Sequence, residues 1–488
     1  MADDVVIAGV PRGIMRDAWW LGDEAPRPGA RPPELAAQGR GFALLALLAT
    51  ADVLFWRQVP GVSLAVFAAA VLAAAAWGVP QRRLAGPVVL LAIGALPVMD
   101  HVQALSVAFL ATSLAGAVVL ARGPDNGLGS VTSRAARLLA SLPFAGVRAG
   151  LRGLGGAVRR PRVTGRRRIL RDWAFPVGGT LVFAALLMEA NPVLARVLSL
   201  RLDVSELAER GLFWLGVALM VWPFLAPLSE AQGLRMPKAG ALPRFGINAA
   251  STLRALVMFN LLIGLQTLTD LSIFWGGADL PRGMSHAAYA HRGAYPLLAT
   301  ALLAGGFALA ARPFLSEHRL IRPLMLVWLA QNVALCLSAL LRLDLYVAVY
   351  GLTYLRLHSF IWIGLVAAGL AMTGWQAARD RSNTWLLARC IGMGLAVLYL
   401  SCFVNFAGII AAQNLTLPEP DVDYVCALGP TASAAIVASG RSDLWLPSGC
   451  AEAPVIRGWR DWGFRNWRIA RYLAATPREV THGHPDRG

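Results

Sequence analysis

Eleven apolar stretches between Gly41 and Ala412 confine this chain to the helical bundles that cross a membrane. Inside hydrocarbon every backbone N–H and C=O has to be paired within the protein, and a run of roughly 17–25 apolar residues achieves this as a single helix. The stretches cover 41–56, 61–77, 84–99, 104–121, 173–190, 211–227, 252–275, 294–311, 323–341, 357–375 and 390–412. The first and third are short, so they need flanking residues, local thinning of the bilayer or a place partly inside the bundle. Hydrophobic residues make up 57% of the chain, more than a soluble core of this length requires. The expected fold is all-α, a polytopic transmembrane helix bundle of about eleven spans with a small extracytoplasmic C-terminal tail.

Arginine orients the bundle, because cationic loops are retained in the cytoplasm. With the N-terminus inside, the inner segments hold 29 of the 45 Lys and Arg, the short outer loops eight and the tail after the last stretch another eight. The formal net charge of +17 is then mostly loop asymmetry and no footprint of nucleic acid, which is not expected as a partner. Asp3, Asp4, Asp17, Asp23 and Glu24 interrupt the first forty residues, so no cleaved signal is expected and the first stretch serves as an anchor.

Composition divides the chain into a flexible cytoplasmic segment (1–40), a four-span front part (41–121), a basic cytoplasmic loop (122–172), a seven-span body (173–412) and an extracytoplasmic module (413–488). In the basic loop, Val131–Ala157 alternates apolar residues with Arg134, Arg137, Arg148 and Arg152, a pattern suited to helices lying on the inner leaflet. Arg159, Arg160, Arg162, Arg166, Arg167, Arg168 and Arg171 follow, so anionic inner-leaflet lipids are the expected partner there, beside the bilayer itself. In the tail, Trp459, Trp462, Phe464, Trp467 and Tyr472 interleave with Arg460, Arg465, Arg468 and Arg471, a composition that rests on headgroups. Cys426 and Cys450 also lie in the tail, in a compartment that permits disulfides, and are predicted to pair.

Ionisable side chains inside hydrocarbon are costly unless partnered, so each marks a candidate site. Asp52, Asp100, His101, Asp270, His291, Arg292, Arg342, Asp344, Arg356 and His358 all fall toward the outer ends of their segments, which suggests a polar pocket opening outward. In Gly264–Pro296 a span carrying Gln266, Thr267 and Asp270 enters a Gly- and Pro-rich loop that returns with His286, Tyr289, His291 and Arg292. His286 and His291 have no nearby Cys or Glu, so no metal is assigned. In Gln331–Ile363, Arg342, Tyr346, Tyr350, Tyr354 and His358 recur every four residues, and one continuous helix would make them a single polar stripe. The candidate ligand-binding set is Asp270, His291, Arg292, Arg342, Asp344, Tyr350, Arg356 and His358, with pairing of Arg342 with Asp344 or Asp270 with Arg356 as the structural alternative.

Over residues 175–475 the phrases LQTLTDLSIFWGG, LPRGMSHAAYAHRGAYPLLATALLAG, QNVALCLSALLRLDLYVAVYGLTYLR and LGPTA resemble the bacterial membrane family grouped as domain of unknown function 4173, a relative of 4153. The resemblance implies a multi-pass membrane body with no assigned activity, in the bacterial cytoplasmic (inner) membrane.

No phosphate-binding loop, H-E-x-x-H, C-x-x-C or G-x-S-x-G is present, so no cofactor is implied and no catalytic residue is assigned. Three functions fit: binding of a small solute or lipid headgroup in the outward-facing pocket, for transport or sensing; a membrane-embedded transferase acting on a lipid-linked substrate, with Asp270 or His291 as base; and a scaffold that recruits a cytoplasmic partner through the basic loop.

Overall fold

The computed structural model describes residues 37–123, 128–142, 204–226, 248–274, 286–441 and 449–476, with scattered positions between 144 and 187. The N-terminal segment, the arginine run 159–171 and most of the expected span 173–190 lie outside the described residues. Every regular element among the described residues is helical. The chain forms two compact units, one from residues up to Leu96 together with Ala108–Met236, the other from Pro97–Val107 together with Pro237 onward.

The first unit contains α1 (Ala37–Phe55), α2 (Ser63–Ala75), most of α3 (Ala85–Asp100) and α4 (Ala104–Arg122), then α5 (Leu128–Ala140) and α6 (Val204–Leu225). Asp52, on an otherwise apolar α1, is paired rather than open. Its carboxylate accepts from Arg210 Nε at 2.7 Å, from Arg210 Nη2 and from Trp214 Nε1 at 2.9 Å. The Arg210 guanidinium in turn lies 5.8 Å from the Trp56 ring centre and 5.5 Å from that of Trp214. An aspartate that looked like a site from sequence is therefore the latch between α1 and α6. The described part of the basic loop begins as expected with an amphipathic helix, α5, which buries Ala135 and Leu138.

The second unit is built on α7 (Ala249–Phe274), α8 (His286–Ala311), α9 (Ile321–Tyr350), α10 (Tyr354–Arg379) and α11 (Asn383–Ser401). Its core forms where Ala301, Ala304, Ala308 and Ala311 of α8 meet Met325, Trp328, Leu329 and Cys336 of α9. Small residues on one helix let the other approach closely, which is how helices associate where the solvent is as apolar as the side chains. Phe259, Phe307 and Trp328 join α7, α8 and α9, with ring centres 5.2–5.9 Å apart.

Among the described residues, α4, Glu206–Leu225, Ala249–Thr269, α9, α10 and α11 are the six helices long and apolar enough to cross a membrane. Helices α2, α3 and Ala299–Phe314 are apolar but shorter. The structure thus contains an all-helical membrane-type body.

Three sequence expectations change. The 390–412 stretch is not one helix: α11 ends at Ser401, and a new helix, α12 (Phe406–Asn414), starts after Asn405, whose Oδ1 caps the Gly408 N–H at 3.2 Å. The supposed stripe from Arg342 to His358 is also interrupted, because α9 stops at Gly351, where φ is +74°. A side chain there would be strained, and a Cβ would come within 2.9 Å of Asn414 Oδ1. Finally, His286, Tyr289, His291 and Arg292 stand in the first turns of α8 and not in a loop, since helix resumes at His286.

Candidate functional site

Helix α9 has 30 residues, a length of roughly 45 Å at 1.5 Å per residue, against about 30 Å of hydrocarbon in a bilayer. It is therefore long enough to cross the apolar layer with turns to spare, and the candidate residues Arg342, Asp344 and Tyr350 stand toward its C-terminal end. Arg342 is buried, whereas Asp344 and Tyr350 are exposed. The tight turn Gly351–Thr353 then reverses the chain into α10, bringing Arg356 and His358 to the same end.

Arg356 holds this turn together. Its Nη1 donates to the Tyr350 carbonyl at 2.7 Å and to that of Gly351, two acceptors left unpaired at the end of α9. The guanidinium also lies 4.5 Å from the Tyr346 ring centre, and Tyr346 packs on Tyr350 at 4.8 Å. Asn414 of α12 fastens the turn from the other side, accepting from Leu352 N at 2.6 Å and donating to Leu352 O at 3.0 Å. His358 is exposed, with its ring 6.3 Å from Tyr354 and 5.4 Å from Phe406. Of the candidate set, Tyr350 and Arg356 are thus in contact, and Asp344 and His358 are exposed elsewhere on the two helices. Arg342 sits inside, and the side chains of Asp270, His291 and Arg292 lie outside the described residues.

The C-terminal segment covers this end of the unit. Ala407, Ala411 and Leu415 form a small core with Val425 of α13 (Val422–Ala427) and Ile436 of α14 (Ser433–Ala438). Residues expected to finish the last span are therefore the inner face of the module. Cys426 and Cys450 are joined in a disulfide across it. Arg441 donates to the carbonyls of Leu415 and Leu417 at 3.0 and 3.2 Å, and Asn405 Nδ2 to Thr431 O at 2.8 Å.

The last helix, α15 (Phe464–Ala475), carries the feature that sequence reasoning missed. Arg465 is buried at 4% exposure on the same face as Ile469 and Leu473. Its Nε and Nη2 donate to Asp100 Oδ2 at 3.0 and 2.5 Å, and Nη2 also donates to the Cys402 carbonyl at 2.6 Å. Asp100 ends α3, where the partial negative charge of the helix terminus disfavours a carboxylate, and the guanidinium offsets both. Gln103 Nε2 reaches the same Cys402 carbonyl at 3.3 Å. Gly463 lets the chain come this close, since a Cβ there would stand 3.2 Å from the Asp100 carbonyl. The signal for this dock was present in the spacing 465, 469, 473, which puts an arginine on the apolar face of an amphipathic helix. The other face keeps Phe464, Trp467, Arg468, Arg471 and Tyr472 exposed, with Arg471 5.4 Å from the Trp467 ring centre.

His101 lies beside the ion pair. Burial first, and then the Arg465 guanidinium, push its imidazole below the ordinary value of 6.5, with Asp100 and Asn466 pulling the other way. A depressed histidine contributes stability above its unfolded value, and that contribution is lost as pH falls toward the folded value. The dock is therefore expected to loosen on acidification from pH 7 to 5. Amide hydrogen exchange over 464–475, corrected for intrinsic rates, should accelerate in the native protein and much less in His101→Gln. Equal pH dependence in the two proteins would show that His101 is not the sensor.

The domain of unknown function 4153 model matches residues 41–439, which takes in the first four apolar stretches as well as the body and stops short of α15. No curated protein and no solved structure matches the chain. The helical bundle, the turn at Gly351 and helices α12–α14 all fall inside the matched region, and the chain belongs to the domain of unknown function 4153 family.

Proposed function

We propose that this multi-pass membrane protein holds a small solute or a lipid headgroup at the end of the second unit where α9 turns into α10, and moves or senses it. The observation that carries the reading is the arrangement at that turn: a guanidinium fixed by two carbonyls and an aromatic ring, with Tyr350 exposed next to it and Asp344 and His358 exposed on the two helices that the turn joins. Arg356 is immobilised before any ligand arrives, so little ordering remains for binding to cost. Tyrosine hydroxyls at the turn, with an imidazole and a carboxylate on the helices it joins, supply both donors and acceptors, the mixture that a sugar or headgroup needs. Asp270, His291 and Arg292 remain in the proposed ligand-binding set on the sequence pattern alone, beside Arg342. The positive-inside bias supports an inner-membrane placement with the N-terminus in the cytoplasm and this end facing outward. The named phrases of the sequence also support a kinship with the related family 4173.

The test is mass spectrometry of small molecules released when the protein, purified from its own membranes, is denatured. Native protein should release a polar or headgroup-bearing species that the folded triple variant Asp344→Ala, Tyr350→Ala, His358→Ala does not. Identical profiles would reject the site. A covalent change in membrane lipids on gene deletion, without loss of the released species, would point to transfer chemistry instead.

A further inference from the structure

Helices α8, α10 and α11 enclose a groove of about 820 Å³ in the second unit, within the roughly 300–1,000 Å³ of small-molecule sites. Leu302, Trp362 and Leu387 on its border are exposed, so it opens toward the surrounding lipid. The room comes from glycine: no atom lies within 4 Å of where a Cβ would stand at Gly306, Gly369 or Gly394, all of which line it. Most of the lining is hydrocarbon, and polar groups gather at one end, where Thr373, Asn383 and Thr384 stand.

Arginines surround that end. Arg312, just past the end of α8, donates to the Arg381 backbone carbonyl in the connector from α10 to α11, which fixes the Arg312 guanidinium against the connector close to Asn383. Gln376 donates to Asn383 Oδ1 at 2.8 Å, so the amide N–H groups of Asn383 are not used in that bond. Arg379 and Arg389 lie 4.9 and 4.2 Å from the ring centres of Trp375 and Trp385, the pairing that holds cations at a membrane interface. Asp380 and Glu317 are the acidic residues among them, and Asp380 lies 3.7 Å from Arg322 in an exposed pair.

We propose that this groove is a binding site for one anionic phospholipid, its acyl chain lying along the glycines and its phosphodiester at Arg381, Arg312 and Asn383. An apolar channel with cations at one end is complementary to an amphiphile with an anionic head, and a lipid whose phosphodiester carries a net negative charge is attracted more strongly than one whose phosphate is offset by its own quaternary ammonium. The site is separate from the one at the α9–α10 turn and stands whether or not that reading holds.

Native protein in nanodiscs doped with a photoactivatable phosphatidylglycerol or phosphatidylcholine tests this, with cross-linked peptides located by mass spectrometry. The phosphatidylglycerol probe should label 301–310, 362–373 and 383–394 in preference to the choline probe. Gly369→Leu fills the groove, favours helix over glycine, and should abolish labelling by both. Arg381→Gln and Arg312→Gln leave the groove open and should each lower the phosphatidylglycerol preference about fivefold. Gly394→Leu provides a second blocking variant should Gly369→Leu not fold. Equal labelling by the two lipids, or labelling untouched by the folded blocking variants, would identify only the lipid that coats any membrane protein and would overturn the proposal. A cross-link joining two copies of the chain through the groove would do so as well.

Discussion

Replacing Arg465 with alanine is expected to free the C-terminal helix from the bundle, at a cost of about 3–5 kcal/mol, because it leaves a buried carboxylate with no counter-charge. Asp100 is 14% exposed in its side chain and Arg465 is 5% exposed, so water cannot take over the role of the lost guanidinium without the helix moving away. The Cys402 carbonyl loses its charge-assisted donor in the same step. Lysine should rescue little, since one ammonium cannot span the carboxylate and the carbonyl as the planar guanidinium does. The double variant Asp100→Asn, Arg465→Met should cost less than the sum of the single changes, because no charge remains buried. Cys402 is fully buried and reports the event directly. With Cys336 and Cys390 replaced by alanine, maleimide should leave Cys402 unlabelled in the otherwise native protein and label it in Arg465→Ala. Unchanged protection of Cys402, with unchanged amide exchange over 464–475, would mean that the pair contributes little to docking.

What could be read from the sequence follows the physics of each element. Apolar runs report helices in lipid directly, and α4, α7, α9 and α10 match stretches recognised from composition alone. Helix ends were less legible, because a run of apolar residues does not show where a cap will interrupt it. Asn405 divides the 390–412 run by satisfying the Gly408 N–H, and Gly351 ends α9 through a backbone conformation that hydropathy does not register. The polar residues around Tyr350 were visible as chemistry out of place in an apolar chain. Their roles were not, since Arg356 is committed to two carbonyls that only the turn brings within reach. Asp100 and Arg465 are 365 positions apart, and no local pattern pairs residues at that distance. Only the register of α15 hinted that Arg465 faces inward.

Removing the Cys426–Cys450 disulfide is expected to destabilise the covering module by about 3.5 kcal/mol, the loop-closure value for a bridge with this separation. The partners are 24 positions apart, and the core they brace is made largely of small residues, with Ala407, Ala411 and Ala432 beside Leu415, Val425 and Ile436. So few buried methylenes supply little hydrophobic stabilisation, and the cross-link becomes a large share of what holds the module closed. Cys426→Ser should therefore open residues 406–451 to limited proteolysis while α7–α10 stay protected, and a reducing agent should reproduce the effect in the native protein but add nothing in the variant. The same bridge bears on orientation, because such bonds persist outside the reducing cytoplasm. Thiol trapping in intact cells should find Cys426 and Cys450 oxidised, and a fusion placed after Leu417 should report an external compartment. If the thiols are instead trapped free and the fusion reports cytoplasm, the covered end faces the cytoplasm, and a ligand at the α9–α10 turn would have to arrive from inside the cell.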